Sequence, residues 1–161
     1  FIRKGHRLML SVIDIIRALS LLIEEKFPDF PVVDRDLTEG FPRPCYFIDV
    51  EGLVTENLTN RLIKETADIE ISFFAEDIYE GFLRLLEVNS ELVAALTEPL
   101  PITDMNGETV AHVVFNDVRT EIIKADKSLT FSMTTELIQG VPDSDSHPLI
   151  DTVEFDVGVN K

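Results

Sequence analysis

The run Leu62 to Phe74, LIKETADIEISFF, restricts the fold of this chain more than any other stretch. Ile63, Ala67, Ile69, Ile71 and Phe73 alternate with Lys64, Thr66, Asp68, Glu70 and Ser72. Successive side chains of a strand point to opposite faces, so the spacing predicts one long strand with an apolar side and a wet side. Such a strand needs a layer packed over its apolar side and neighbours along its edges.

Two helical patterns supply the layer. Val12, Ile15, Ile16, Leu19, Leu22 and Ile23 recur at a period near 3.6, with Ser11 placed to cap the start and Pro28 closing the run. From Glu76 to about Thr97 the same period returns in Ile78, Phe82, Leu85, Leu86, Leu92, Val93 and Leu96, until EPLPI stops it. Between them a short strand is expected at Val32 to Asp34. A turn-rich connection, RDLTEGFPRP, leads to an antiparallel companion at Cys45 to Val50, and EGLVTENLTN reads as a polar loop.

After the second helix, MNGE signals a turn. Val110, His112, Val114 and Val118 then alternate as inward residues, KADKS turns the chain, and Leu129, Phe131 and Met133 line a strand ending near Leu137. Residues 139–148 read as a linker. The alternation of Leu149, Asp151, Val153, Phe155 and Val157 predicts a last strand within 149–161. The order lacks regular βαβ alternation. It predicts an α+β fold in which two helices cover one face of a mostly antiparallel sheet, with an added C-terminal strand. The domain proper is expected over 9–138. Residues 1–8, basic and ahead of Met9, are expected to lie outside it.

Composition narrows the function. A hydrophobic fraction of 45% suffices for a core, and a single cysteine rules out an internal disulfide. The longest apolar run, SVIDIIRALSLLI, is broken by Asp14 and Arg17, so neither a membrane span nor a secretion signal is expected. Thirty acidic against fourteen basic residues give a net charge of −16. That sign opposes the counterion release which drives ordinary nucleic-acid binding.

The candidates for chemistry are thin. Cys45 as a nucleophile needs a base, and nothing ties it to His6, His112 or His147. A cysteine opening an apolar strand is usually core. DSDSH at 143–147 offers oxygen ligands but lacks the glycine and terminal glutamate of an EF-hand loop. The pairs Asp34 and Asp36, Asp49 and Glu51, and Asp68 and Glu70 each share a strand face. They suit a divalent metal or acid–base work, and equally a solvated sheet surface. No phosphate loop, CxxC, HExxH or GxSxG occurs. No enzyme, cofactor or metal is therefore expected; a metal-dependent enzyme using paired carboxylates is the alternative from another class. What the pattern does offer is strand edges, which a monomer must shield or share.

The stretch IRALSLLIEEKFPDFPVVDRDLTEGFPRPCYFIDV resembles the opening of tail terminator proteins of tailed phages and of phage-like particles of Gram-positive bacteria. NLTNRLIKETADIEISFF is similar to that family's long strand, and KSLTFSMTTEL to its closing strand. The likeness covers about residues 10–138, and the strand beyond Leu137 departs from it. It implies a virion protein, assembled in the host cytoplasm, that forms a homo-hexameric ring on the tail tube and ends tube growth. Implied partners are the tube protein, head-completion or neck proteins, and the sheath protein if the tail contracts. DNA would pass through without specific binding. A neck or tube subunit is the alternative within the class. In so acidic a chain, Arg61, Lys64 and Arg119, together with Phe155 on the last strand, are the expected interface residues; EGLVTENLTN and DMNGE are expected at the lumen or the axial faces.

Overall fold

The computed structural model describes residues 10–33, 42–76 and 79–140. Its elements are helix α1 (Val12–Lys26), strands β1 (Cys45–Thr59) and β2 (Leu62–Phe74), helix α2 (Tyr79–Leu96), and strands β3 (Leu100–Thr103), β4 (Thr109–Val113), β5 (Phe115–Ile123) and β6 (Ser128–Gly140). Strands β1, β2, β6 and β5 lie side by side in that order, each pair antiparallel, while β3 and β4 form a separate two-stranded sheet. The fold is α+β, and the alternating run forms a strand over the expected residues.

Register explains the layering. Ile69 lies opposite Met133 and Ile71 opposite Phe131. These four side chains share one core with Ile15, Leu19 and Ile23 of α1 and Leu85, Val88 and Leu92 of α2, each at most 2% exposed. Both helices thus pack on the same side of the sheet. Phe73 marks the centre, with the rings of Phe27 and Phe30 edge-on at 5.8 and 5.5 Å and Tyr46 stacked at 5.7 Å. Cys45 is a buried free thiol at the start of β1, where burial pushes its pKa above the ordinary 9.0.

Local chemistry fixes the helix starts. The Asp14 carboxylate accepts hydrogen bonds from the Ser11 N–H at 2.9 Å and the Ser11 hydroxyl at 2.8 Å, placing a negative charge in the first turn where the helix dipole favours it. Gly81 lets α2 approach the preceding chain: a Cβ there would lie 2.7 Å from that of Ala75.

Several expectations are corrected. EGLVTENLTN is not a loop; β1 continues through it to Thr59. The expected strand at Val32 is a single parallel bridge to Tyr46, not an antiparallel strand. EPLPI contributes to β3, which the two prolines disguise. Val113 and Phe115 are buried, whereas Val110, His112, Val114 and Val118 are exposed, the reverse of the expected phase. The chain changes sheets at Val114, leaving β3 for β6. A register shift between Asn116 and Arg119, with Asp117 at φ 51°, then interrupts the alternation. On α2, Val88 is buried and Leu86 and Val93 are exposed. Residues 1–8, Asp34, Asp36, the DSDSH segment and the last strand with Phe155 lie outside the described residues.

Candidate assembly surface

At the end of the sheet where Gln139 Nε2 of β6 donates to the Leu10 carbonyl ahead of α1 at 2.6 Å, β1 and β2 close as a hairpin arm. A register shift between Val50 and Gly52 marks its root. Gly52 lies opposite Asp68, and a Cβ there would come 2.9 Å from Asp68 Oδ2, so a larger residue would have to turn that exposed carboxylate aside. Outside this bulge both faces of β1 meet solvent, Leu53 and Val54 being 53% and 56% exposed. Leu58 farther along β1, Leu62 of β2 and Ile138 of β6 are exposed with them.

Lys64 braces the arm. Its Nζ lies 3.1 Å from Glu136 Oε1 on β6 and 3.4 Å from Glu56 Oε2 on β1, so one ammonium joins three strands on the wet face. Those carboxylates, Glu136 foremost, push its pKa above the ordinary 10.5. Arg61 occupies the hairpin turn, where its N–H donates to Thr59 Oγ1 at 3.2 Å. Arg119 is exposed on β5, opposite Ser132, next to the bulge in that strand. Arg61 and Lys64 therefore share the arm, while Arg119 stands on the opposite edge strand of the same sheet.

The two halves of the β1 edge differ. Near the core, Tyr46 is engaged by the preceding segment: its N–H donates to the Pro31 carbonyl at 3.0 Å, and its carbonyl accepts from the Val33 N–H at 2.9 Å. Farther along, Asp49 Oδ1 accepts the Val50 N–H at 2.9 Å, which removes a donor from the edge. Past the bulge, from Leu53 to Thr59, no described segment lies alongside. Sequence reasoning missed these residues because a strand wet on both faces carries no burial alternation. Asn60 and Arg61 at the turn were the available signal.

Of the acidic pairs within the described residues, Asp49 lies opposite Glu70. Among the described residues no group of three His, Cys, Asp or Glu side chains is placed to hold a metal ion. Among the same residues no helix is long and apolar enough to cross a membrane.

A half-shielded sheet carrying a braced, exposed arm is the equipment of a protein that works by joining others. Residues 14–146 match the family described as phage tail terminator protein, and the chain belongs to that family. The match stops short of Leu149, where the added strand was expected. No curated protein matches the chain. Membership makes this a structural component of a phage tail, associated with other tail proteins in the virion.

Proposed function

We propose that the chain is the subunit of a hexameric ring that caps the tail tube, ends its growth and presents a surface to head-completion or neck proteins. The observation that carries this reading is the β1 edge from Leu53 to Thr59, alongside which no described segment lies, on an exposed arm, in a member of the terminator family. The sheet has a second, unlike edge at β5. Contact between one subunit's β1 arm and the next subunit's β5 is heterologous and closes into a ring when the rotation divides a full turn.

In that ring Arg119 lies at the seam as the cation that meets a neighbour's carboxylates, and Arg61 at the arm tip faces the adjoining subunit or the tube. Lys64 acts indirectly by holding the arm straight. Residues 149–161, with Phe155, add a strand to their own sheet or exchange it onto a neighbour. A charge of −16 per subunit disfavours premature rings, so the free protein is monomeric and closes on the tube end, where further contacts offset the repulsion. The same acidity lets DNA pass without gripping it. A contractile tail would add the sheath protein to its partners.

Electron microscopy of particles made without the protein tests this reading. Overlong or headless tails are expected, and tails of normal length with heads attached would refute termination. Light scattering at micromolar concentration and ordinary salt should find a monomer; a stable hexamer would remove closure on the tube.

A further inference from the structure

The outward face of α2 carries a feature unused by the ring edges. Leu83, Leu86, Ser90, Val93 and Thr97 follow the three-and-four spacing of a coiled-coil seam. Leu83, Leu86 and Val93 are 62%, 38% and 43% exposed, while the helix buries Leu85, Val88 and Leu92 on its other side. The two hydroxyls on the seam are already satisfied. Ser90 Oγ donates to the Leu86 carbonyl at 3.0 Å, and Thr97 Oγ1 to the Val93 carbonyl at 2.8 Å. Covering the seam would therefore strand neither hydroxyl away from water.

Charge identifies the occupant. Along one flank Arg84 reaches Asp29 at 2.8 Å, Glu87 at 3.2 Å and Glu91 at 4.0 Å, so a single guanidinium stands among three carboxylates and the flank stays acidic. The other flank turns toward β5, where Thr120 Oγ1 donates to Asn89 Oδ1 at 2.9 Å and Lys124 lies over the Phe82 ring. In an antiparallel two-fold pair of α2 helices Glu87 would meet Glu87, which disfavours a second copy. We infer that α2 docks a different tail protein through an apolar helical ridge bearing lysine or arginine along one side.

The test titrates the full chain with a fluorescent three-heptad helical peptide carrying leucine at its seam and lysine on one flank, and with its glutamate-flanked counterpart. The lysine peptide should bind at least about tenfold more tightly than the glutamate peptide. Leu86→Ser with Val93→Ser should weaken it by about tenfold without altering helix content, because both side chains are already exposed. Glu87→Gln with Glu91→Gln should weaken it and flatten its salt dependence. Equal binding of the two peptides, or unchanged binding by the serine variant, would overturn the inference. So would a dimer in light scattering that the serine substitutions dissolve, since the occupant would then be a second copy. None of these readouts requires a ring.

Discussion

Arg84 grips Asp29 with two parallel hydrogen bonds, Nε to Oδ2 at 2.9 Å and Nη2 to Oδ1 at 2.8 Å, while its guanidinium carbon lies 5.8 and 5.9 Å from the ring centres of Phe27 and Phe30. The pair ties α2 to the turn after α1. Arg84 is the main reason that the Asp29 carboxyl is held below its ordinary 3.8. A depressed carboxylate contributes stability above its unfolded pKa and loses it as pH falls through the folded value. Asp29→Asn should therefore cost about 1 kcal/mol at neutral pH, allowing for solvent screening. In urea melts the difference from wild type should vanish as pH falls below the carboxylate range; a difference that persists there would contradict the assignment.

Lys64 makes the opposite prediction in sign. Its pKa is raised, so its contribution is present below 10.5 and lost as pH rises through the folded value. Lys64→Glu places a third carboxylate beside Glu56 and Glu136 and should lower the melting temperature, with high salt recovering most of the loss. Lys64→Met should be milder, its smaller loss also shrinking as salt screens the ion pairs it removes. Equal losses for the two variants would show that the charge is irrelevant.

Phe73 and Tyr46 separate packing from polarity in one cluster. Phe73→Ala should cost about 3–5 kcal/mol, because it opens a cavity between three rings. Burial, and after it the Glu24 charge, push the Tyr46 hydroxyl above its ordinary 10.0; Ser20 is its polar neighbour, but the hydroxyl makes no hydrogen bond of good geometry. Tyr46→Phe should leave stability unchanged or raise it by up to about 1 kcal/mol. Denaturant midpoints measure both, and a large loss in Tyr46→Phe would reveal a hydrogen bond at that hydroxyl.

Cys45 should resist alkylation in the native protein at about pH 8 and react at least about a hundredfold faster in denaturant. Mass spectrometry reads the adduct. Equal rates would place the thiol at the surface.

The legible parts of the fold were those with one wet and one dry side. β2 and the middle of β6 alternate because helices cover one face, and α1 shows its period for the same reason. The arm half of β1 is wet on both faces, so EGLVTENLTN carries no alternation to read. Val110 to Val118 misled because their apolar residues point outward on two strands of different sheets, joined at Val114 and interrupted beside Asp117. Leu86 and Val93 completed an apolar pattern on α2 that the core does not use. Among the interface candidates, charge scarcity drew attention to Lys64 and Arg119 alike. Only the strand register separates a residue that braces its own arm from one on the far edge.

The bulge at Gly52 divides β2 into two mechanical regimes. On the core side its backbone amides lie under packed helices and should exchange with solvent only when the whole domain opens. On the arm side the same strand is held by ladders on both edges, one bridging ammonium and the Gln139–Leu10 hydrogen bond of the adjoining β6, with fewer core side chains over it, so its amides should exchange through local fraying at a smaller free energy. One continuous strand thus runs from the slowest-opening part of the molecule to a faster one. A neighbour that bound the arm would register as protection spreading outward past residue 67, a signal readable one amide at a time.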